Sequence, residues 1–143
     1  MNLSLEGRTA LVCGSSQGIG LAAAKELALL GAACILLARN EVRLREALKG
    51  LSVLHRQQHA YAVADFTYPA QVKTVIDSLV NKAPVHILVN NTGGPTGGPV
   101  AAASAAEFIN AFEQHLICNQ ILVQAVLPGM KTAGYGRIIN IIS

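Results

Sequence analysis

The feature that most limits what this chain can fold into is an alternation. Short, unbroken apolar runs are separated by stretches in which apolar residues recur every three or four positions. The runs are TALVCG (9–14), ACILLA (33–38), HAYAVAD (59–65), VHILVN (85–90) and GRIINIIS (136–143). Apolar runs of this length, bounded by turn residues, read as strands buried on both faces. The stretches between them read as helices. In the first, Ile19, Ala23, Leu27 and Leu30 share a face, and Gly31 is placed to stop the helix in a left-handed turn. Asn40 can cap the second, which carries Val42, Leu44, Leu48 and Leu51. Pro69 suits the first turn of the third, which carries Val72, Val75, Ile76, Leu79 and Val80. Ser104 and Glu107 form a capping box that opens a long fourth helix, with Phe108, Phe112 and Leu116 on one face and the pattern running to about Met130. The loop TGGPTGGP (92–99) is too rich in glycine and proline for regular structure. Five strands alternating with four helices predict an α/β fold with a doubly wound parallel sheet. Its ligand is expected beyond the carboxyl ends of the strands.

The chain has 143 residues and no internal repeat or linker, so residues 1–143 read as one domain. Apolar residues make up 52% and charged residues 13%, against roughly 25% charged in an average domain. Such a chain must bury most of itself or turn an apolar face to a partner. Disorder is the poorest reading, because disordered segments are charged and short of apolar residues. The net charge is +3 and the Lys and Arg residues are scattered, which argues against nucleic-acid binding. The most apolar region, 21–38, is broken by Lys25, Glu26 and Gly31, so no membrane span is expected. Glu6 and Arg8 fall where a signal peptide needs apolar residues. Cys13, Cys34 and Cys118 are far apart and the histidines do not cluster. That pattern predicts buried thiols in a reducing cytoplasm and no metal site.

The sharpest motif follows the first strand. GSSQGIG places Gly14, Gly18 and Gly20 between a strand and a helix. Glycine there permits a tight turn and close backbone approach, and the helix N-terminus offers free N–H groups to an anion. No Lys-Ser/Thr follows, so a triphosphate with magnesium is not expected.

This stretch resembles the cofactor loop of the short-chain dehydrogenase/reductase family, usually T-G-x-x-x-G-x-G, with Cys13 in place of the threonine. LVNNTGG (88–94) resembles the family's N-N-A-G segment, with Thr92 for alanine. GRIINIIS resembles the strand that carries the family's catalytic serine. The resemblance covers essentially the whole chain and extends to 3-oxoacyl-ACP reductase-like members, to which the chain is similar. It implies a Rossmann-type sheet with strand order 3-2-1-4-5, incomplete on its C-terminal side. It also implies a nicotinamide coenzyme held by Gly14, Ser15, Ser16, Gln17, Gly18, Ile19 and Gly20. Asp65 and Phe66 would meet the adenine. Asn90, Asn91 and Gly93 would border the adenosine ribose, although Asn90 serves equally well as a structural tie. A homo-oligomer, dimer or tetramer, is implied as well.

The end of the second strand separates the two coenzymes. Members that prefer NAD carry an acid there, whereas Ala38 and then Arg39 stand in this chain. A guanidinium can hold a 2′-phosphate through paired hydrogen bonds, so NADP(H) is expected over NAD. The resemblance assigns Asn119 and Ser143 to the catalytic set. The family's tyrosine and lysine, spaced Y-x-x-x-K, have no counterpart. Tyr61, Tyr68 and Tyr135 are followed four positions later by Asp65, Val72 and Ile139. The chain therefore reads as the N-terminal piece of a longer reductase, expected to be inactive alone. When complete, it would interconvert a small-molecule ketone and a secondary alcohol. Two other readings stay open: a dinucleotide-binding module without turnover, and an interaction protein that uses the long helix. A nucleotide-sugar epimerase ranks lower, because its glycine spacing differs.

Overall fold

The computed structural model describes residues 3–94 and 97–142. The expected alternation is observed. Five strands, β1 (Thr9–Cys13), β2 (Ala33–Ala38), β3 (Ala60–Val63), β4 (Ile87–Asn90) and β5 (Arg137–Asn140), form one parallel sheet in the order β3-β2-β1-β4-β5. Leu11 of β1 stands between Ile35 of β2 and Leu88 of β4, which fixes the central register. Helices α1 (Gly18–Leu29), α2 (Glu41–Lys49) and α3 (Pro69–Val80) follow β1, β2 and β3, and α4 (Ala105–Phe112) and α5 (Cys118–Thr132) separate β4 from β5.

Side chains alternate across a strand, so each central strand feeds two cores. On one face Ala10, Val12, Cys34, Leu36, Ile87 and Val89 meet Ala24 and Ala28 of α1 and Leu44 and Ala47 of α2. On the other, Leu11, Cys13, Leu37 and Leu88 meet Val72 and Ile76 of α3 and Cys118, Leu122 and Val126 of α5. This double burial is why β1, β2 and β4 read as continuous apolar runs rather than alternating ones.

The helix starts follow their capping signals. Asn40 Oδ1 accepts the Arg43 N–H at 3.0 Å. Ser104 and Glu107 close the capping box, with the Ser104 N–H donating to Glu107 Oε2 at 2.7 Å. Gly31 ends α1 with φ +99°.

Two helix faces differ from expectation. α1 turns Gly20, Ala24 and Ala28 to the sheet, while Ile19, Leu29 and Leu30 are exposed. The reason is distance. A side chain at Gly20 would run into the Gly14 carbonyl, so α1 starts hard against the end of β1, and Leu27 is only partly buried beside Ala24 and Ala28. The single long helix expected from 105 to about 130 is broken by a π-helical turn at Glu113–Ile117. The face of Phe108, Phe112 and Leu116 is exposed. β5 lies at the sheet edge, with its Ile138 and Ile139 and the following Ile141 each 38–44% exposed.

The N-terminal ends of three strands are joined at the base of the sheet. The Tyr135 ring lies under two guanidinium groups, Arg8 at 4.1 Å and Arg137 at 4.7 Å from its centroid. His86 meets the same ring edge-on, and its Nδ1 accepts the Thr9 N–H at 3.0 Å.

Candidate functional site

At the opposite, carboxyl end of the sheet the chain opens into two adjoining clefts. The outer one begins where β1 ends. The backbone takes positive φ at Gly14 (+57°) and Gly18 (+59°), a conformation that costs a residue with a Cβ about 1–2 kcal/mol. A Cβ at Gly14 would also collide with the Asn91 carbonyl. From the other side, Asn91 Nδ2 donates to the Cys13 and Gly14 carbonyls at 3.3 and 3.4 Å. The Leu37 N–H donates to the buried Ser15 Oγ at 3.0 Å. These bonds brace the turn with Cys13 standing where a threonine was expected. Burial pushes the Cys13 thiol up to about 12, so it stays neutral.

α1 starts directly after this turn with no side-chain cap and no acid in its first turn. Its first N–H groups therefore remain open, with the positive end of the helix dipole behind them. The outer cleft, about 400 Å³, is lined there by Gly14, Ser16, Gln17, Gly18 and Ile19. Its far wall is built by Ala38, Arg39, Asp65 and Phe66, and its lip by Asn91, Thr92 and Gly93. Ser15 and Gly20 do not line it: Ser15 ties the loop to β2, and Gly20 lets α1 sit close. Arg39 is exposed at the rim and, among the described residues, forms no ion pair. Asp65 Oδ1 accepts the Thr67 N–H at 2.9 Å, which fixes the turn after β3.

The inner cleft, about 660 Å³, shares Ile19, Asn91, Thr92 and Gly94 with the outer one. Asn90, Asn119, Asn140 and His115 also line it. Asn90 is thus brought here rather than to the outer cleft, and its Nδ2 donates to Asn140 Oδ1 at 2.9 Å. Asn119 follows the π turn in α5. His115 sits at the middle of that turn, its Nδ1 2.6 Å from Thr92 Oγ1. Ser143, the other residue expected in the catalytic set, lies outside the described residues. None of the three tyrosines lines either cleft. Tyr61 donates to Glu41, Tyr68 precedes α3, and Tyr135 is at the base of the sheet.

Reading the sequence missed His115, Asn140 and Arg43. Arg43 Nη1 donates to Gln17 Oε1 at 2.7 Å and so holds the glycine loop from α2. The one available signal was spacing: His115 and Asn119 are four apart and share a helix face.

The glycine turn, open helix start and strand order agree with a match to the short chain dehydrogenase family over residues 8–143. The chain belongs to this family. The human inactive hydroxysteroid dehydrogenase-like protein 1 is 32% identical over 96% of this chain and 42% of its own length. The crystal structure of L-sorbose reductase from Gluconobacter frateurii, complexed with NADPH and L-sorbose, matches 98% of this chain and 54% of that one with a TM-score of 0.89 at 31% identity. A 3-oxoacyl (acyl-carrier-protein) reductase from Agrobacterium tumefaciens with NADP bound matches 99% and 55%, with a TM-score of 0.90 at 28% identity. The chain thus spans about half the length of the curated relatives it matches. No described helix is long and apolar enough to cross a membrane.

Proposed function

We propose that this chain is the coenzyme-binding half of an NADP(H)-dependent oxidoreductase that interconverts a small-molecule ketone and a secondary alcohol. The observation that carries the coenzyme assignment is Arg39 beside Ala38 at the rim of a cleft whose floor is an uncapped helix start. The residues fit a dinucleotide. The N–H groups of α1 and the glycine turn would take the diphosphate, Arg39 the 2′-phosphate, and Asp65 with Phe66 the adenine. The two structural neighbours crystallised with NADP or NADPH support the same choice.

The chemistry the coenzyme supplies when bound is hydride transfer. The residues of this chain bind and orient it; Asn91, Thr92 and the β4 exit separate its cleft from the inner one. Reducing a ketone also requires a proton for the developing alkoxide, and a positioned acid is worth ~10²–10⁴-fold. With every tyrosine away from both clefts, these 143 residues alone are expected to bind coenzyme and turn over no ketone. That observation favours a second reading, a dinucleotide-binding module without turnover. The exposed apolar face of α4 supports a homo-oligomer, and three buried, unpaired thiols suit a reducing cytoplasm.

The test is coenzyme binding followed by fluorescence, then NADPH consumption with a panel of ketones. NADPH should bind more tightly than NADH. Replacing Arg39 with Asp should weaken NADPH ~10–100-fold, the scale of a lost charge-assisted hydrogen bond, and leave NADH nearly unchanged. Equal weakening of both would defeat the assignment.

A further inference from the structure

The base of the sheet, at the far end from both clefts, carries charge that nothing balances. Arg8 directly precedes β1, and Arg137 opens β5. Both guanidinium groups lie over the Tyr135 ring, at 4.1 and 4.7 Å from its centroid. The two cations are therefore no more than about 9 Å apart, inside the ~10 Å over which 0.1 M salt screens a charge. Among the described residues neither forms an ion pair. Glu6, the acid nearest to Arg8 in the chain, stands 3.1 Å from His55 Nδ1 instead.

The ring does not complete these groups. A cation–π contact neutralises no charge, and it leaves the five N–H donors of a guanidinium to find acceptors elsewhere. The half-buried Arg8 side chain has none among the described residues. Arg137 has one, the Gly136 carbonyl, 2.7 Å from Nη1. His86, whose ring is 6.5 Å from that of Tyr135, adds no acceptor. Its Nδ1 is taken by the Thr9 N–H at 3.0 Å, so its proton sits on Nε2. Donors gather at this end of the sheet, and acceptors do not. What would complete the site is an anion with several oxygens, and charge decides which. A carboxylate brings one negative charge to two cations. A phosphate group brings nearly two, with at least three acceptor oxygens that guanidinium forks meet through paired hydrogen bonds.

We propose that Arg8 and Arg137 bind a phosphate group beside Tyr135, bridging the starts of β1 and β5 across β4. The site is independent of the coenzyme assignment, because the glycine turn and Arg39 lie at the opposite end of the sheet. The group can arrive as the free ion or as a phosphate monoester, since both present the same terminal oxygens.

The experiment titrates the full-length protein at pH 8 and constant ionic strength with inorganic phosphate, glycerol 3-phosphate and acetate, and follows the arginine Nε–H signals by NMR. At this pH phosphate is mainly the dianion, and His86, held below 6.5 by burial and then by the Arg8 charge, is neutral. The Arg8 and Arg137 Nε signals should shift together along one saturating curve, with a midpoint of about 1–10 mM, the scale of two charge-assisted hydrogen bonds at a surface. Acetate should bind at least about tenfold more weakly. Arg137→Met, at an exposed position, should weaken phosphate about tenfold as read at Arg8 Nε, and Arg8→Met should do the same as read at Arg137 Nε. Arg137→Lys, which keeps the charge without the fork, should recover part of the loss. Binding of one phosphate probe alone names the source; binding of both shows that a terminal phosphate suffices. A merely structural stack would lower the melting temperature of both Met variants in phosphate-free buffer while phosphate leaves the wild-type signals unmoved. That result, acetate binding as tightly as phosphate, or an unchanged phosphate curve in Arg137→Met overturns the proposal.

Discussion

The two clefts share a wall but are made of different material. The outer cleft is built from backbone: open N–H groups of α1, the turn at Gly14 and Gly18, and carbonyls braced by Asn91. The inner cleft is built from side chains whose placement depends on a π turn and on pairs such as Thr92 with His115 and Asn90 with Asn140. A backbone site has few ways to be made, and each leaves glycine at a fixed place. A side-chain site can be made from many residue types on many elements. The first therefore announces itself in sequence and the second does not.

This contrast can be broken at its strongest point first. Gly14→Ala puts a Cβ against the Asn91 carbonyl at positive φ. It should cost about 3 kcal/mol of stability and abolish measurable NADPH binding, as read by urea denaturation and coenzyme fluorescence. If NADPH still binds at wild-type affinity, the outer cleft is not a backbone-built site. Ser15→Ala sharpens the point. It leaves the buried Leu37 N–H without its acceptor, and stability should fall by about 1–2 kcal/mol. Because Ser15 lies behind the loop, NADPH affinity should move less than threefold. A tenfold loss would show the hydroxyl touching the ligand.

The smallest expected effect comes from the far end of the sheet, which serves as a control for both clefts. Burial, and then the nearby Arg8 charge, hold His86 below the usual histidine value of 6.5. Its Nδ1 is also committed to the Thr9 N–H. The fold therefore wants His86 neutral. As pH falls below about 6.5, the unfolded chain takes up the proton first, so stability is full above that value and declines below it. The urea midpoint should drop between pH 7 and pH 5, and less steeply in His86→Gln. A variant with the same slope as wild type would mean that other groups set the acid sensitivity.

Much of the fold was legible because each signal had a single physical cause. Double burial makes β1, β2 and β4 apolar throughout, and Asn40, Ser104 and Gly31 mark helix ends through bonds or φ values that few other residues provide. What stayed hidden depended on tertiary distance. The sequence 18–29 offers Ile19, Ala23 and Leu27 as an apolar stripe, but α1 buries Gly20, Ala24 and Ala28 most deeply, with Leu27 partly buried against the same core and Ile19 exposed. Nothing in 113–117 breaks a helix locally, since no Gly or Pro is present, so the π turn could not be read in advance, and His115 had only its four-residue spacing from Asn119 to mark it. Asn119 was reached through resemblance, and Asn140 looked like one more residue of an apolar strand.

The Tyr135 ring, gripped by Arg8 and Arg137 and touched by His86, rivets the entry points of β1, β4 and β5 together at the floor of the molecule. Anything that prises the strands apart must do so by splaying their far tips, as the blades of shears part around a screw. The screw sits at the opposite end of the sheet from both openings, so the strand tips that frame them are the ends left free of it.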